Sequence, residues 1–253
     1  MRLRALAAVV GLGLLAGCAN APRDARSEPR SGTSPAEIQA SLAQAYLSQG
    51  QLDIAMSRAN RALELNPRLP SAHTVAAIVY QRMGDTERAG THYRRALALD
   101  PRSGDTLNNY GTFLCSQNDF ADADPLFERA LKDPFYRTPA VAMANRGSCQ
   151  FKAGNVAAAE ANLRLALDLD PQNAEALFAL ASLNVSTGQT LSARAFIQRY
   201  LSDAGASPEA LRLAIDIESA LGNTRAVRDY ETRLEREFPD SAATRRQSDG
   251  SSP

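Results

Sequence analysis

The chain has 253 residues, of which 44% are hydrophobic, enough to build a substantial core in one large domain or two small ones. Aromatic residues make up only 6% and tryptophan is absent, so the composition favours helices over sheets. Basic and acidic residues are equal in number, at 28 each, and this balance gives no support to nucleic-acid binding, which needs a concentrated basic face.

The N-terminus has the features of an export signal. Arg2 and Arg4 precede an uncharged apolar stretch, residues 5–15, which is too short for a membrane-spanning helix of about 20 residues. The stretch ends in Leu15-Ala16-Gly17-Cys18, which resembles the bacterial lipobox. That resemblance implies a signal peptide over residues 1–17, cleavage before Cys18, attachment of a diacylglycerol to its thiol and acylation of the new N-terminus. An ordinary signal peptide followed by a chance cysteine is the alternative.

The residues after Cys18 indicate a location and a tether. Ala19 stands where an Asp marks inner-membrane retention in many Gram-negative bacteria, so the lipobox resemblance implies an outer-membrane lipoprotein on the periplasmic face. Acyl chains on Cys18 hold such a protein at the membrane, each buried CH₂ contributing about 0.8 kcal/mol. Residues 18–35 are rich in charge, proline and glycine, and they are predicted to be a disordered tether.

From residue 36 onward, one pattern recurs about every 34 residues. A two-helix unit with this period and a glycine turn is the signature of the tetratricopeptide repeat. The pattern predicts an all-α protein, an α-solenoid of six such repeats wound into a right-handed superhelix. The turn residues that define the period are Gly50, Gly84, Asn118, Gly154, Gly188 and Gly222.

The repeats are assigned to residues 36–241, and the polar residues 242–253 are predicted to be a disordered tail. Small residues such as Ala43 and Ala77 in the first helix of a repeat let the two helix axes approach closely. Ile215 replaces them in the last repeat, as suits a cap on which no further unit docks. The repeat boundaries are 36–69, 70–103, 104–137, 140–173, 174–207 and 208–241.

No catalytic or metal-binding motif is evident. The two histidines, His73 and His92, have no cysteine or carboxylate at the spacing of a metal site or a catalytic triad, and we interpret both as structural. No glycine-rich phosphate loop and no nucleophile elbow occur. The sequence therefore predicts a protein that is not an enzyme, with no cofactor, metal or small-molecule substrate.

Two cysteines are predicted to form a disulfide. Cys115 and Cys149 occupy nearly matching places in the first helices of repeats three and four, which should run side by side. Because the periplasm is oxidising, we expect a bond that contributes roughly 3 to 4 kcal/mol. Two buried free thiols are the alternative.

Two extra residues lie in the segment 132–139, where two prolines frame two aromatic residues between repeats three and four. The segment is either a slightly long loop or a functional feature, which is a protruding recognition loop or a bend in the superhelix.

The first helices of the repeats are expected to line a concave groove of mixed apolar and amide character, which suits an extended or helical segment of a partner. In peptide-binding members of this repeat family an Asn at the place of Asn109 and Asn145 hydrogen-bonds the ligand backbone. The partners of a carboxylate clamp are missing, so a C-terminal carboxylate is a poor candidate ligand. The predicted groove residues are Gln44, Leu47, Ile78, Gln81, Asn108, Asn109, Thr112, Asn145, Ser148, Phe151, Phe178, Ser182 and Val185.

Three segments are more particular than a generic repeat: Asn108–Cys115, Asp133–Pro139 and Asn145–Cys149. With the lipobox and the six repeats, the chain resembles the PilF/PilW family of type IV pilus biogenesis lipoproteins over essentially the whole mature sequence. The resemblance implies a pilotin that binds the type IV pilus secretin and promotes its outer-membrane localisation and multimerisation. Separately from the resemblance, we expect a monomer. The alternative function is an outer-membrane repeat lipoprotein that scaffolds peptidoglycan enzymes or the envelope assembly machinery.

Overall fold

The computed structural model describes residues 33–241, and every regular element in that range is helical. The predicted signal peptide, the predicted lipidation site Cys18, most of the predicted tether and the C-terminal tail lie outside the described residues. The helices are α1 Pro35–Ser48, α2 Leu52–Leu65, α3 Pro70–Arg82, α4 Thr86–Leu99, α5 Gly104–Ser116, α6 Phe120–Leu131, α7 Pro139–Lys152, α8 Val156–Leu169, α9 Ala174–Ser186, α10 Thr190–Asp203, α11 Pro208–Ala220 and α12 Thr224–Glu237.

Local sequence explains where these helices begin and end. At the start of α1, the Ser34 hydroxyl accepts a hydrogen bond from the Glu37 backbone N–H at 3.2 Å, and the Glu37 carboxylate accepts one from the Ser34 N–H at 2.7 Å. This capping box, followed by Pro35 in the first turn, satisfies two N–H groups that the helix leaves free. Within each pair, the turn after the first helix contains a residue in the left-handed backbone region, Gly at five of the turns and Asn118 at the sixth.

Each odd-numbered helix packs on the even-numbered helix that follows it and on the next odd-numbered helix. The crossings within a pair are lined by small residues, of which Ala43, Ala77 and Ala181 are fully buried. At Gly147 in α7, even a methyl group would lie 2.7 Å from the Leu163 Cγ of α8, so the two helices approach more closely there than an alanine allows. The predicted all-α solenoid of six repeats is confirmed.

The last helix differs from the others. In α12 only Leu234 is buried, and most of its other residues are charged or polar. A helix with one apolar edge ends the stack without presenting an apolar face for a further repeat, as solenoid caps do. Among the described helices, none is both long and apolar enough to cross a membrane.

Candidate functional site

The candidate site is the face formed by the odd-numbered helices. Because α1, α3, α5, α7, α9 and α11 contact one another in sequence, their outward sides make one continuous surface, which we call the groove. Its N-terminal part contains a cavity of about 600 Å³ between α1, α3 and α5. The polar residues that line this cavity are Ser41, Gln44, Ser71, Thr74, Asp100, Ser103, Asp105, Thr106 and Asn109.

The predicted groove residues differ in exposure. Gln44, Thr112 and Val185 are exposed. A larger set is half-buried, which leaves part of each side chain accessible: Ile78, Gln81, Asn109, Asn145, Ser148, Phe151, Phe178 and Ser182. Whether these eleven residues contact a partner stays a prediction.

Two residues do not lie on the groove surface, and the expectation for them is wrong. Leu47 is only 2% exposed because it turns into the core between α1, α2 and α3, where it packs with Ala43 and Val75. Asn108 is 6% exposed, and its side-chain oxygen accepts a hydrogen bond of 3.0 Å from the Asn145 amide. Both side chains hold the groove helices together and are covered by their neighbours.

Side-chain hydrogen bonds connect neighbouring groove helices. The hydroxyls of Thr74 in α3 and Thr106 in α5 lie 2.9 Å apart in a buried position. Asn145 joins α7 to α5 through Asn108, and the Ser148 hydroxyl donates to the Glu175 carboxylate of α9 at 2.6 Å. Polar groups paired in this way set the register between adjacent repeats. They also occupy part of the hydrogen-bonding capacity of Asn145 and Ser148.

A buried tyrosine orients one of the groove amides. The Tyr93 hydroxyl of α4 donates a hydrogen bond to the side-chain amide oxygen of Gln81, Oε1, at 3.0 Å. Burial raises the pKa of Tyr93 well above its ordinary value, so the hydroxyl keeps its proton and remains a donor at physiological pH. With its oxygen engaged, the Gln81 side chain has its amide N–H groups available for other acceptors.

The C-terminal part of the groove is more apolar. Phe178 of α9 lies against Tyr200 of α10, with ring centroids 5.7 Å apart, and remains half-buried. Phe151 packs on the core around Leu180 from one side and is also only partly covered. Val185 is 40% exposed. These side chains offer accessible apolar surface beside the polar N-terminal cavity.

An ion pair joins α6 to α7, and a disulfide joins α5 to α7. The Nε and Nη2 atoms of Arg146 in α7 donate hydrogen bonds to the two carboxylate oxygens of Asp124 in α6, at 2.8 and 2.7 Å. Hydrogen bonding to Arg146 lowers the pKa of the Asp124 carboxyl below its ordinary value. The structure joins Cys115 of α5 to Cys149 of α7 by a disulfide, with 5.7 Å between the Cα atoms. Formation of this bond in the cell stays a prediction.

The segment 132–139 is an ordered loop. The Asp133 carboxylate accepts hydrogen bonds from the Gly104 N–H at 3.2 Å and from the Phe135 N–H at 2.9 Å. The Tyr136 ring lies against Gly104, where even a methyl group would clash with it. Phe135 is consequently held 87% exposed, beside a cavity of about 590 Å³ whose lining includes Arg102, Arg129 and Lys132.

Comparison of the sequence and of the fold with known proteins identifies the family. Profiles of the tetratricopeptide repeat match residues 41–104, 74–136, 114–173 and 150–214. The crystal structure of PilW, described as a widely conserved type IV pilus biogenesis factor, superposes with a TM-score of 0.74 and 33% identity, over 84% of this chain and 99% of that one. The type IV pilus assembly protein PilF of Pseudomonas aeruginosa is 26% identical over 196 residues, 78% of each chain.

The chain belongs to the PilF/PilW family of tetratricopeptide repeat proteins. The predicted family resemblance is therefore confirmed. An uncharacterised protein from Haemophilus influenzae is 33% identical over 140 residues, 55% of this chain and 78% of that protein. The solved structure of PilF, at a TM-score of 0.69 and 24% identity, shares the fold.

In this PilF/PilW family member, sequence reasoning missed the residues that connect the groove helices. Thr74, Thr106 and Glu175 were not predicted. The bonded residues do not occupy matching repeat positions: Thr74 bonds Thr106, and Asn108 bonds Asn145. The signal that could have found them is the presence of several polar residues on adjacent odd-numbered helices, where buried polar groups need a partner.

Proposed function

We propose that this protein is an outer-membrane lipoprotein of type IV pilus biogenesis that binds the pilus secretin and promotes its outer-membrane localisation and multimerisation. The observation that carries the proposal is the relationship to PilW, which spans 99% of that chain at 33% identity. PilW is described as a type IV pilus biogenesis factor and PilF as a type IV pilus assembly protein. A repeat solenoid of this kind acts by binding, and the proposal requires no catalytic step.

The groove is the part of the molecule that we assign to secretin binding. It runs across all six odd-numbered helices, with polar groups around Gln44 and Asn109 at one end and apolar groups around Phe178 and Val185 at the other. An amphipathic helix or an extended strand of a partner carries both kinds of group along its length. Hydrogen bonds between α3, α5, α7 and α9 hold the groove in one shape before binding, which reduces the entropy lost on association.

The lipobox supports the localisation part of the proposal. Acyl chains on Cys18 deliver the protein to the outer membrane, and a secretin subunit held in the groove is delivered with it. In the ring, secretin subunits replace the contact with the groove by contacts with one another. Binding and delivery are thus separate properties of two separate parts of the chain.

The binding step is tested by affinity purification from detergent-solubilised envelopes, with a tag at the C-terminus. We expect recovery of the secretin from the wild type and its loss from Ile78→Glu, Phe178→Glu and Val185→Glu. Leu191→Glu is the matched control, because Leu191 is a 65% exposed apolar residue on the even-numbered helix α10. Equal secretin recovery from the groove variants and from the control contradicts the assignment of the groove.

Recovery of cell-wall enzymes without secretin favours the alternative role as a scaffold for peptidoglycan enzymes. Circular dichroism melting of each variant separates loss of binding from loss of fold, since Ile78 and Phe178 are half-buried whereas Val185 is exposed.

The delivery step is tested by Cys18→Ser. We expect this variant to bind the secretin in detergent as the wild type does, while secretin multimers in the outer membrane are reduced. Normal secretin rings in the Cys18→Ser strain refute delivery by the acyl chains and leave the binding proposal standing.

A further inference from the structure

The two histidines of the chain, which the proposed function does not use, lie together in the second repeat. His73 is on α3 and His92 is on α4, and their Nδ1 atoms are 3.1 Å apart. The ring centroids are 5.2 Å apart and the rings are tilted by 43°. Both side chains are half-buried, so neighbouring residues cover part of each ring and solvent has access to the rest.

The hydrogen bonds of His73 determine its tautomer. Its Nε2 lies 3.1 Å from the backbone oxygen of Pro67. A carbonyl oxygen only accepts hydrogen bonds, so Nε2 carries the proton and, in the neutral ring, Nδ1 carries a lone pair directed at His92. Metal-binding histidines show this same arrangement, in which one ring nitrogen donates to a carbonyl group and the other is the ligand.

Burial favours the neutral form of both rings. Partial burial lowers the pKa of both imidazoles below the ordinary value, and the mutual proximity of the rings lowers that of His92 further. With His73 in this tautomer, the Nδ1–H of a neutral His92 donates a hydrogen bond to the Nδ1 lone pair of His73. For both nitrogens to bind one ion, His92 must instead carry its proton on Nε2, which leaves both Nδ1 atoms unprotonated.

The distance between the two nitrogens fits a shared metal ion. Two imidazole ligands at about 2.0–2.1 Å from a tetrahedral Zn²⁺ are about 3.3 Å apart, and adjacent ligands of a tetragonal Cu²⁺ are about 2.8 Å apart. The observed 3.1 Å lies between these values. We propose that His73 and His92 form a two-histidine site for a divalent transition metal ion, Cu²⁺ or Zn²⁺, that connects α3 to α4.

The site is expected to be labile. Within residues 33–241 there is no group of three or more His, Cys, Asp or Glu side chains able to hold a metal, so water fills the remaining coordination positions. The positive charges of Arg95, near His73, and Arg88, near His92, oppose binding of a cation. Neither imidazole lines the N-terminal cavity of the groove, so the proposal is independent of secretin binding.

The test is a calorimetric titration with ZnCl₂ and with CuCl₂ at neutral pH. The protein carries Cys18→Ser and no polyhistidine tag, so that neither the Cys18 thiol nor added histidines bind metal. We expect one equivalent to bind and to raise the melting temperature, because the ion binds the native pair and not the separated histidines. His73→Asn and His92→Asn should each weaken binding by about tenfold or more.

Arg88→Gln serves as the opposite control, because it removes a nearby positive charge, keeps both imidazoles and should tighten binding. Electron paramagnetic resonance of the Cu²⁺ complex should show coupling to imidazole nitrogen that disappears in either histidine variant. Circular dichroism confirms that each variant is folded. Metal binding of equal affinity in the wild type and both folded histidine variants, or no binding by the wild type, overturns the proposal.

Discussion

The substitution Gly147→Ala tests how closely α7 and α8 approach each other. A Cβ atom at this position lies 2.7 Å from the Leu163 Cγ, 3.0 Å from its Cδ2 and 3.1 Å from the Ala159 carbonyl oxygen. Favourable separations between carbon atoms are about 3.5–4.0 Å. Leu163 is fully buried, and neither its branch point nor the backbone oxygen moves without moving α8. The added methyl group therefore forces the two helices apart.

The expected loss of stability follows from two opposing effects. Overpacking of a core costs about 1–3 kcal/mol, and the upper end applies because backbone and branch-point atoms are in the way. Alanine is favoured over glycine in a helix by about 1 kcal/mol. The net loss is about 2 kcal/mol, which lowers the melting temperature of a domain of this size by about 4–8 °C.

The measurement is thermal and urea unfolding followed by far-ultraviolet circular dichroism. Gly90→Ala in α4 is the matched control, because the nearest atoms to its Cβ are the flexible end of Arg94 at 3.3 Å and Phe113 at 3.6 Å. That variant should be as stable as the wild type or gain up to about 1 kcal/mol. A Gly147→Ala protein as stable as the wild type refutes the close-approach argument.

Three further predictions concern the disulfide, an ion pair and the ordered loop. Reduction of the disulfide, or replacement of both Cys115 and Cys149 by alanine, should lower the free energy of unfolding, measured by urea unfolding, by roughly 3–4 kcal/mol, because the bond closes a loop spanning 34 positions. If reductant leaves the stability of the wild type unchanged, that result contradicts the bond. Because Arg146 lowers the pKa of folded Asp124, the stabilisation is complete above the ordinary carboxyl pKa of about 4 and is lost as pH falls through the lowered value. Asp124→Asn should therefore lower stability at neutral pH and lessen its decline in acid, and an unchanged pH profile of urea unfolding argues against this contribution. Phe135→Ser should change stability by no more than about 0.5 kcal/mol, since the ring is 87% exposed; a larger shift in the urea midpoint means that the ring packs on the fold.

The repeat structure was predictable because its signals are local. The Gly residues at the turns have positive φ, for example 82° at Gly84 and 81° at Gly154. Asn118, placed in the same series by its spacing alone, has φ of 62°, as expected of the residue type that best tolerates this region after glycine. A turn of this kind depends on a few adjacent residues, so its sequence and its conformation correspond closely.

Exposure along the groove was less predictable. Leu47 and Val185 occupy the same position of their repeats, three residues before the turn glycine, yet Leu47 is 2% exposed and Val185 is 40% exposed. The difference depends on how the neighbouring helices cover each side chain, and the repeat pattern does not contain that information. Asn108 was assigned to the surface for the same reason and is covered by Asn145.

By itself, the sequence determined that the chain is a stack of six helical hairpins and that the first helix of each lines a common face. It did so because spacing, turn residues and small residues act within one repeat or between adjacent ones. Only the tertiary structure decided which side chains on that face remain accessible and which bind one another. His73 and His92, which are 19 positions apart, show this most clearly. Their contact arises from the crossing of α3 and α4, and a hydrogen bond or a metal ion depends on interatomic distances that only packing sets.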